Sequence, residues 1–254
     1  MLSYIQSLSV VAFCVLVALG LCRILSWRLE DSTRKRANGV NGWQLGILGS
    51  IYAVVLGFML SDAWLSYQTA TDDVRNEAAA ALMIYRTASL LPKSCSVPLQ
   101  QAAGGYVKTV LESEWPAMQQ HRTGIQAKPF LRSMWGTLSN CDSGNMEARQ
   151  EGIARALQTL QMRRDARTED ATGHLPLIMW SVLVFGAVVV VASSCLLANE
   201  KQSVHCFHVV SLTMLISVTL LAISDLDRPF DGATRITSSA FQNARQEISE
   251  PAAH

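Results

Sequence analysis

The chain has 254 residues, of which 50% are hydrophobic and only 16% are charged, and its formal net charge is +1. Because an average soluble domain carries about 25% charged residues, this composition favours a membrane protein. Lys and Arg are scattered along the sequence and do not gather with aromatic residues into a basic patch. The composition therefore excludes a typical nucleic-acid-binding surface.

Four long apolar runs divide the chain, and they cover residues 5–27, 45–67, 175–198 and 207–223. Each run is close to the roughly 20 residues with which a helix crosses about 30 Å of hydrocarbon. No Lys or Arg precedes the first run, which is also long for a signal peptide, so we interpret it as a retained transmembrane helix. The pattern predicts an all-α, multi-pass membrane protein with four transmembrane helices and the bilayer as its first partner.

In chain order, the predicted organisation has four parts. Residues 1–67 contain transmembrane helices 1 and 2, residues 68–174 form a helical extramembrane domain inserted between helices 2 and 3, residues 175–225 contain helices 3 and 4, and residues 226–254 form a C-terminal segment. Between residues 62 and 91 there is neither Pro nor Gly, so one helix is predicted from about Leu45 to Leu91. At 1.5 Å per residue, such a helix is about 70 Å long.

The insert, as we call residues 68–174, reads as a helical bundle. Helices are predicted from Ser96 to about residue 120, over 130–138 and over 146–171, with a kink at Pro116. Glu112 and Glu114 are two residues apart and point in different directions on a helix, so we expect them on a solvated face. A cluster of charges near residue 167 reads as a salt-bridged helix end or, repeated around an oligomer, as a ring that concentrates ions. Its members are Arg163, Arg164, Asp165, Arg167, Glu169 and Asp170.

The cysteines leave one question open. Cys14, Cys22, Cys195 and Cys206 lie in or beside apolar runs, where a cysteine behaves as a small buried hydrophobe. Cys95 and Cys141 belong to the insert and lack the short paired spacing of a zinc site, so they are either two free thiols or one disulfide. The answer depends on which side of the membrane the insert faces. Both faces carry basic residues, so a simple count of charges leaves that side undetermined.

One face of the second apolar run has the pattern of a pore constriction. Ser50, Val54 and Phe58 follow each other at intervals of four residues, so they stack along one helix face. On a helix that lines an axis, they would form rings of small, branched and aromatic side chains that gate ions by dewetting. Ordinary packing inside a helix bundle remains the alternative, and nearby glycines at positions 46, 49 and 57 allow close helix approach.

An acidic turn follows the fourth apolar run. Its residues Asp225, Asp227 and Asp231 place carboxylates near a membrane edge, beside the Pro229–Phe230 dipeptide. Oxygen ligands at alternating positions suit Ca²⁺. Arg228 lies among them and no bidentate Glu follows at a set distance, so a structural turn is the alternative and no metal is firmly assigned. No residues in the sequence have the spacing of a catalytic site. We therefore expect that the protein is not an enzyme and has no cofactor besides the doubtful calcium at this turn.

Several of these motifs together resemble the bestrophin superfamily, and more closely its bacterial bestrophin-like (DUF4239) branch. The triplet Leu56-Gly57-Phe58 followed by Trp64 and Tyr67 resembles the bestrophin neck helix, and Pro229-Phe230 with its flanking acids resembles the segment after the last membrane helix. The branch-specific matches are the stretches YAVVLGFM, EAAAAL, EWPAM, LPLIMW and LDRPF. The resemblance covers most of the chain between Gly46 and Phe241.

The resemblance implies a pentameric ion channel of a bacterial inner membrane whose second helices surround an axial pore for small anions or monovalent cations. Ser50, Val54 and Phe58 would fall on the neck-lining positions, although bestrophins have bulky apolar residues at all three and Ser50 would make a looser gate. The family topology places both termini and the insert in the cytoplasm, in which case Cys95 and Cys141 should be reduced. A non-conducting scaffold or sensor that presents its insert to a partner is the alternative, because fold does not fix function.

Overall fold

The computed structural model describes residues 4–28, 31–120, 122, 124–141, 147–171, 175–197 and 202–250. These residues are helical with short connections, and none of them forms a strand. The predicted all-α class is therefore confirmed. The helices are α1 (Tyr4–Arg28), α2 (Asp31–Ala88), α3 (Lys93–Thr109), α4 (Trp115–Met118), α5 (Lys128–Ser139), α6 (Glu147–Asp170), α7 (Leu177–Cys195), α8 (Gln202–Leu226) and α9 (Ser239–Ser249), with a π-helical turn at Val110–Glu114 between α3 and α4.

Four of these helices are long and apolar enough to cross a membrane, as the sequence predicts. The candidate spans are Gln6–Arg28, Asn38–Ala88, Leu177–Cys195 and Ser203–Leu226. The long second helix is also confirmed, and it begins at Asp31 rather than near Leu45. Glycines early in α2 lower its helix propensity by about 1 kcal/mol each relative to Ala but do not end the helix.

Three details of the insert and the C-terminal segment differ from the sequence predictions. Helix α3 begins at Lys93, directly after Pro92, so Pro98 lies inside the helix. Pro116 lies in the first turn of α4, and the irregularity that we expected there is the preceding π-helical turn. Helix α9 was not predicted, since of its eleven residues only Phe241 and Ala244 are buried and its apolar signal is correspondingly short.

The chain divides into two compact units. Residues 1–65 and 175–227 make up the first, which we call the membrane unit, and residues 66–174 and 228–254 make up the second, which we call the polar unit. Helix α2 contributes its first part to the membrane unit and its last part to the polar unit.

In the membrane unit, α1, α7 and α8 pack against each other, and α2 adds Tyr52, Leu56 and Ala63 to an apolar core that it shares with α7 and α8. The hydroxyl of Tyr52 donates a hydrogen bond of 2.8 Å to the backbone carbonyl of Leu183 on α7. The Tyr52 ring lies directly over Gly186, where a Cβ atom would meet ring carbons at 2.5 Å. Glycine is therefore what allows α2 and α7 to approach each other at this point.

Replacing Gly186 with alanine is expected to destabilise the membrane unit by about 1–3 kcal/mol, the usual cost of overpacking a core. The ring of Tyr52 is held by its hydrogen bond and is only 7% exposed, so it has little room to move aside. The measurement is thermal unfolding of the purified protein in detergent. Gly20→Ala is the matched control, because a Cβ at this α1 position meets nothing within 4 Å. Equal melting temperatures for the two variants would contradict the prediction.

The polar unit has a core of its own. It combines the last part of α2 with α3, α5, α6 and α9, and the buried residues include small alanines on α2, such as Ala78 and Ala81, that allow α2 a close approach to the other helices. On α6, the apolar residues Ile153, Leu157 and Leu160 are fully buried at helical spacing. The spacing of these three residues thus predicts the buried face of α6, whereas Met162, which we expected with them, is 69% exposed.

Candidate functional site

The predicted constriction residues lie on an uncovered face of α2. Ser50 is exposed, and Val54 and Phe58 are 57% and 69% exposed. The opposite face of the same helix carries Tyr52 and Leu56, which are buried. The structure therefore brings the three predicted residues onto one face and leaves that face unpacked within the membrane unit. This exposure argues against ordinary packing within the bundle of one chain. The face is available to lipid or to another copy of the chain.

The residues around this face of α2 are apolar and have small side chains. The Ser50 hydroxyl donates a 2.8 Å hydrogen bond to the carbonyl of Gly46, so its polarity is partly satisfied within the helix. At Gly46, Gly49 and Gly57, an added Cβ would meet no described atom within 4 Å. Among the described residues of a single chain, no other helix therefore packs closely against α2 at these glycines.

In the acidic turn, Asp227 has a structural role. It is 7% exposed, and its carboxylate accepts a 2.9 Å hydrogen bond from the backbone amide of Leu175. This bond links the residue just after α8 to the segment that leads into α7, while Asp225 is half-buried near the end of α8. Within the described part of the chain, no three His, Cys, Asp or Glu side chains are grouped so that they could hold a metal ion.

The Pro229–Phe230 dipeptide is buried in the polar unit. Phe230 is 3% exposed and meets Trp115 edge-on, with ring centroids 5.8 Å apart. The carbonyl of Pro229 accepts a 2.7 Å hydrogen bond from the amide of Ile236, and the carbonyl of Arg228 accepts hydrogen bonds from the amides of Asp231 and Gly232. This segment is a compact turn anchored by an aromatic contact.

The sequence analysis placed Arg164 and Arg167 in a charged helix end, but both are buried in the polar unit and pair with distant glutamates. We call this network, which spacing did not predict, the charge quartet: Glu77, Glu114, Arg164 and Arg167. Each of the four is at most 1% exposed. Arg167 contacts Glu77 at 2.6 Å and Glu114 at 2.9 Å, and Arg164 contacts Glu114 at 2.6 Å. The expectation that Glu114 lies on a solvated face is wrong, because its carboxylate is paired with two arginines from α6.

Neighbouring groups stabilise the charged forms in the quartet. Burial alone would raise the pKa of Glu114, but the charge of Arg167, the amide of Ala127 and hydrogen bonds from both arginines outweigh burial and bring the pKa below its usual value. Tyr106 donates a 2.5 Å hydrogen bond to Glu77. Burial, followed by the negative charge of Glu77, raises the Tyr106 pKa well above normal, so this phenol stays protonated.

One signal in the sequence points to the quartet. Positions 164 and 167 continue the helical spacing of the buried residues Ile153, Leu157 and Leu160, so both arginines fall on the buried stripe of α6. Their partners Glu77 and Glu114 lie far away in the sequence, on α2 and in the π-helical turn. A charged residue on a buried stripe predicts a buried partner, but spacing alone does not identify that partner.

The structure pairs four of the six cysteines. Cys95 forms a disulfide with Cys141 in the polar unit, with 5.7 Å between their Cα atoms. Cys22 forms a disulfide with Cys195 in the membrane unit, with 4.9 Å between their Cα atoms. The second pair corrects the interpretation of Cys22 and Cys195 as separate buried hydrophobes, because the packing of α1 against α7 brings the two sulfur atoms together.

Comparison with known families gives a match over nearly the whole chain. The model of the Bestrophin-like domain matches residues 11–241. The chain belongs to the Bestrophin-like family.

Solved structures agree with this membership. A variant of a bacterial bestrophin homologue from Klebsiella pneumoniae has a TM-score of 0.73 at 12% identity, and the alignment covers 94% of this chain and 99% of that one. A second variant of the same protein has a TM-score of 0.68 at 13% identity, with 94% and 97% covered. At such identities the likeness establishes the fold. A comparison with curated proteins gives no match.

The resemblance seen in the sequence motifs is thus confirmed at the level of the family. A Bestrophin-like fold with four helices apolar enough to cross a bilayer is the fold of a membrane protein. Two features of this Bestrophin-like chain bear on its function. They are the uncovered face of α2, with Ser50, Val54 and Phe58, and the acidic turn.

Proposed function

We propose that the chain is one subunit of a homo-oligomeric, pentameric ion channel in a bacterial inner membrane, where it crosses the bilayer four times. The channel would pass small anions or monovalent cations through an axial pore. The observation that carries the proposal is the uncovered face of α2, on which Ser50 and the exposed apolar residues Val54 and Phe58 are aligned.

The chemistry of this face suits a hydrophobic gate. When several copies of α2 surround an axis, Phe58 and Val54 form two apolar rings that water and ions enter only against a dewetting barrier. Ser50 forms the third ring, and its small side chain leaves that ring wider. The open positions at Gly46, Gly49 and Gly57 leave room for a neighbouring helix to approach.

The acidic turn has a supporting role in this proposal. Asp227 holds the segment before α7 through its bond to the Leu175 amide, and the buried Pro229 and Phe230 fix the turn that follows α8. Asp225 and Asp231 flank these anchors. Together these residues would hold the ends of the membrane helices in fixed positions while ions pass through the pore.

The experiment that tests the proposal is to purify the protein, measure its oligomeric state by mass analysis in detergent, and reconstitute it into liposomes for chloride and potassium flux. A pentamer with flux of either ion is the expected result. A monomer or dimer that carries no flux of either ion, although correctly inserted, would favour the alternative function, a scaffold or sensor that presents the insert to a partner.

A further inference from the structure

Asp62 is the only acidic residue in the four apolar runs of the sequence. It precedes the end of the second run, at residue 67, by five residues, which places it about 7.5 Å inside that end at 1.5 Å per residue. Its side chain is too short to reach the interface from there as a lysine or arginine does. Carboxylates in membrane helices almost always face the bundle interior or a water-filled path, where they mark the route of an ion. We therefore expect Asp62 to face water.

Asp62 also continues the row of residues on the uncovered face of α2. Ser50, Val54, Phe58 and Asp62 follow each other at intervals of four residues, and side chains at this interval are neighbours on a helix. Asp62 is exposed, as the other three are, and it belongs to the membrane unit, which includes α2 up to residue 65. Four residues rise about 6 Å along a helix, so the carboxylate follows Phe58 by about one turn.

The negative charge of Asp62 is not neutralised by the rest of the described chain. Among the described residues, its carboxylate takes part in no hydrogen bond and no ion pair. The next two acidic residues along α2 differ in this respect, because Asp72 pairs with Arg75 at 3.5 Å and Asp73 pairs with Arg163 at 2.5 Å. The partner that suits an unpaired carboxylate on this face is a cation from outside the chain.

We propose that Asp62 determines the ion selectivity of the channel and makes it pass monovalent cations in preference to chloride. When several copies of α2 surround an axis, Asp62 repeats as a ring of carboxylates next to the apolar ring of Phe58. The apolar rings carry no charge and oppose cations and anions alike, whereas an acidic ring concentrates cations at the constriction and repels anions. This role rests on the proposed function, and it selects one of the two ion classes that the proposed function leaves open.

The test is the permeability ratio of potassium to chloride, measured from the reversal potential of the reconstituted full-length protein under a potassium chloride gradient. We expect wild type to favour potassium. Asp62→Asn removes the charge and keeps the size, so we expect it to lower the ratio about tenfold, at the lower end of the concentrating effect of a charged cleft. Asp62→Glu should keep the wild-type ratio. Glu151→Gln is the matched control, because it removes a 62% exposed carboxylate from α6, outside the proposed pore.

A second variant changes the charge after the channel has assembled, so it does not depend on how Asp62→Asn folds. Asp62→Cys is made in a background without Cys14 and Cys206, the two cysteines outside the disulfides. An anionic methanethiosulfonate reagent then restores a negative charge at position 62, and a cationic one places a positive charge there. We expect the first reagent to return the preference for potassium and the second to produce a preference for chloride.

The outcomes separate the role of Asp62 from the proposed function. Wild type that conducts potassium and chloride equally well would overturn the role of Asp62 and leave the channel standing. The same conclusion would follow if Asp62→Asn kept the wild-type permeability ratio, or if both reagents left the Asp62→Cys ratio unchanged. Well-inserted wild type that conducts neither ion would overturn the proposed function, and the role of Asp62 with it.

Discussion

Replacing Arg167 with methionine is expected to lower the free energy of unfolding of the polar unit by about 3–5 kcal/mol, because it leaves a buried carboxylate without its partner. Arg167 is fully buried and contacts both Glu77 and Glu114. An ordinary domain is stable by only about 5–15 kcal/mol, so this loss is a large part of the total. The measurement is thermal unfolding of the full-length protein in detergent, with proteolysis of the insert as a second readout.

Two further variants make this test specific. Arg155 lies on the same helix in a surface pair with Glu151, with the two side chains 75% and 62% exposed, so Arg155→Met is expected to cost less than about 1 kcal/mol. Combining Arg167→Met with Glu77→Gln removes one charge of each sign and leaves Glu114 paired with Arg164. We expect the double variant to recover part of the lost stability. If it is no more stable than Arg167→Met alone, the unpaired charge is not the cause of the loss.

Shortening both Val54 and Phe58 to alanine is expected to raise the ion flux of reconstituted protein about tenfold, which corresponds to a barrier lower by about 1.4 kcal/mol. The two side chains are exposed on one face of α2, and in the proposed pore they form the apolar rings that oppose wetting. Chloride and potassium flux are measured for wild type and variant at equal amounts of inserted protein.

Phe185 provides the matched control for this second prediction. It is 71% exposed on α7, close to the 69% of Phe58 on α2, and both are phenylalanines of membrane-unit helices. Phe185→Ala is expected to leave the flux at the wild-type level, because α7 does not line the proposed pore. Equal flux in wild type, Phe185→Ala and the Val54/Phe58 variant would mean that the α2 face does not form the constriction.

The sequence predicts the helices of this protein well because their signals are long. A run of about 20 apolar residues can hardly be anything but a membrane helix, and the stretch between residues 62 and 91 lacks any residue that would end α2. Short elements give weaker signals. Helix α9 buries only Phe241 and Ala244, with Ala240 and Ile248 partly buried beside them, so its apolar period covers only about two turns and is a weak signal.

The tertiary pairings are harder to predict because they join distant parts of the chain. Glu114 looks like a surface residue until the approach of α6 buries it against Arg164 and Arg167. Cys22 and Cys195 are 173 residues apart in the sequence, and only the packing of α1 against α7 brings them together. For the candidate pore, the spacing of Ser50, Val54 and Phe58 predicts that they share a face, but whether that face is covered depends on the whole bundle.

The charge quartet also affects how the stability of the polar unit changes with temperature. The hydration of charged groups becomes less favourable as temperature rises, so withdrawing two glutamates and two arginines from water costs less in a warm protein than in a cold one. The attraction between the buried partners, at contacts between 2.6 and 2.9 Å, remains. The core of the polar unit thus contains an interaction whose net contribution to folding grows on warming, over the range in which the hydrophobic contribution levels off.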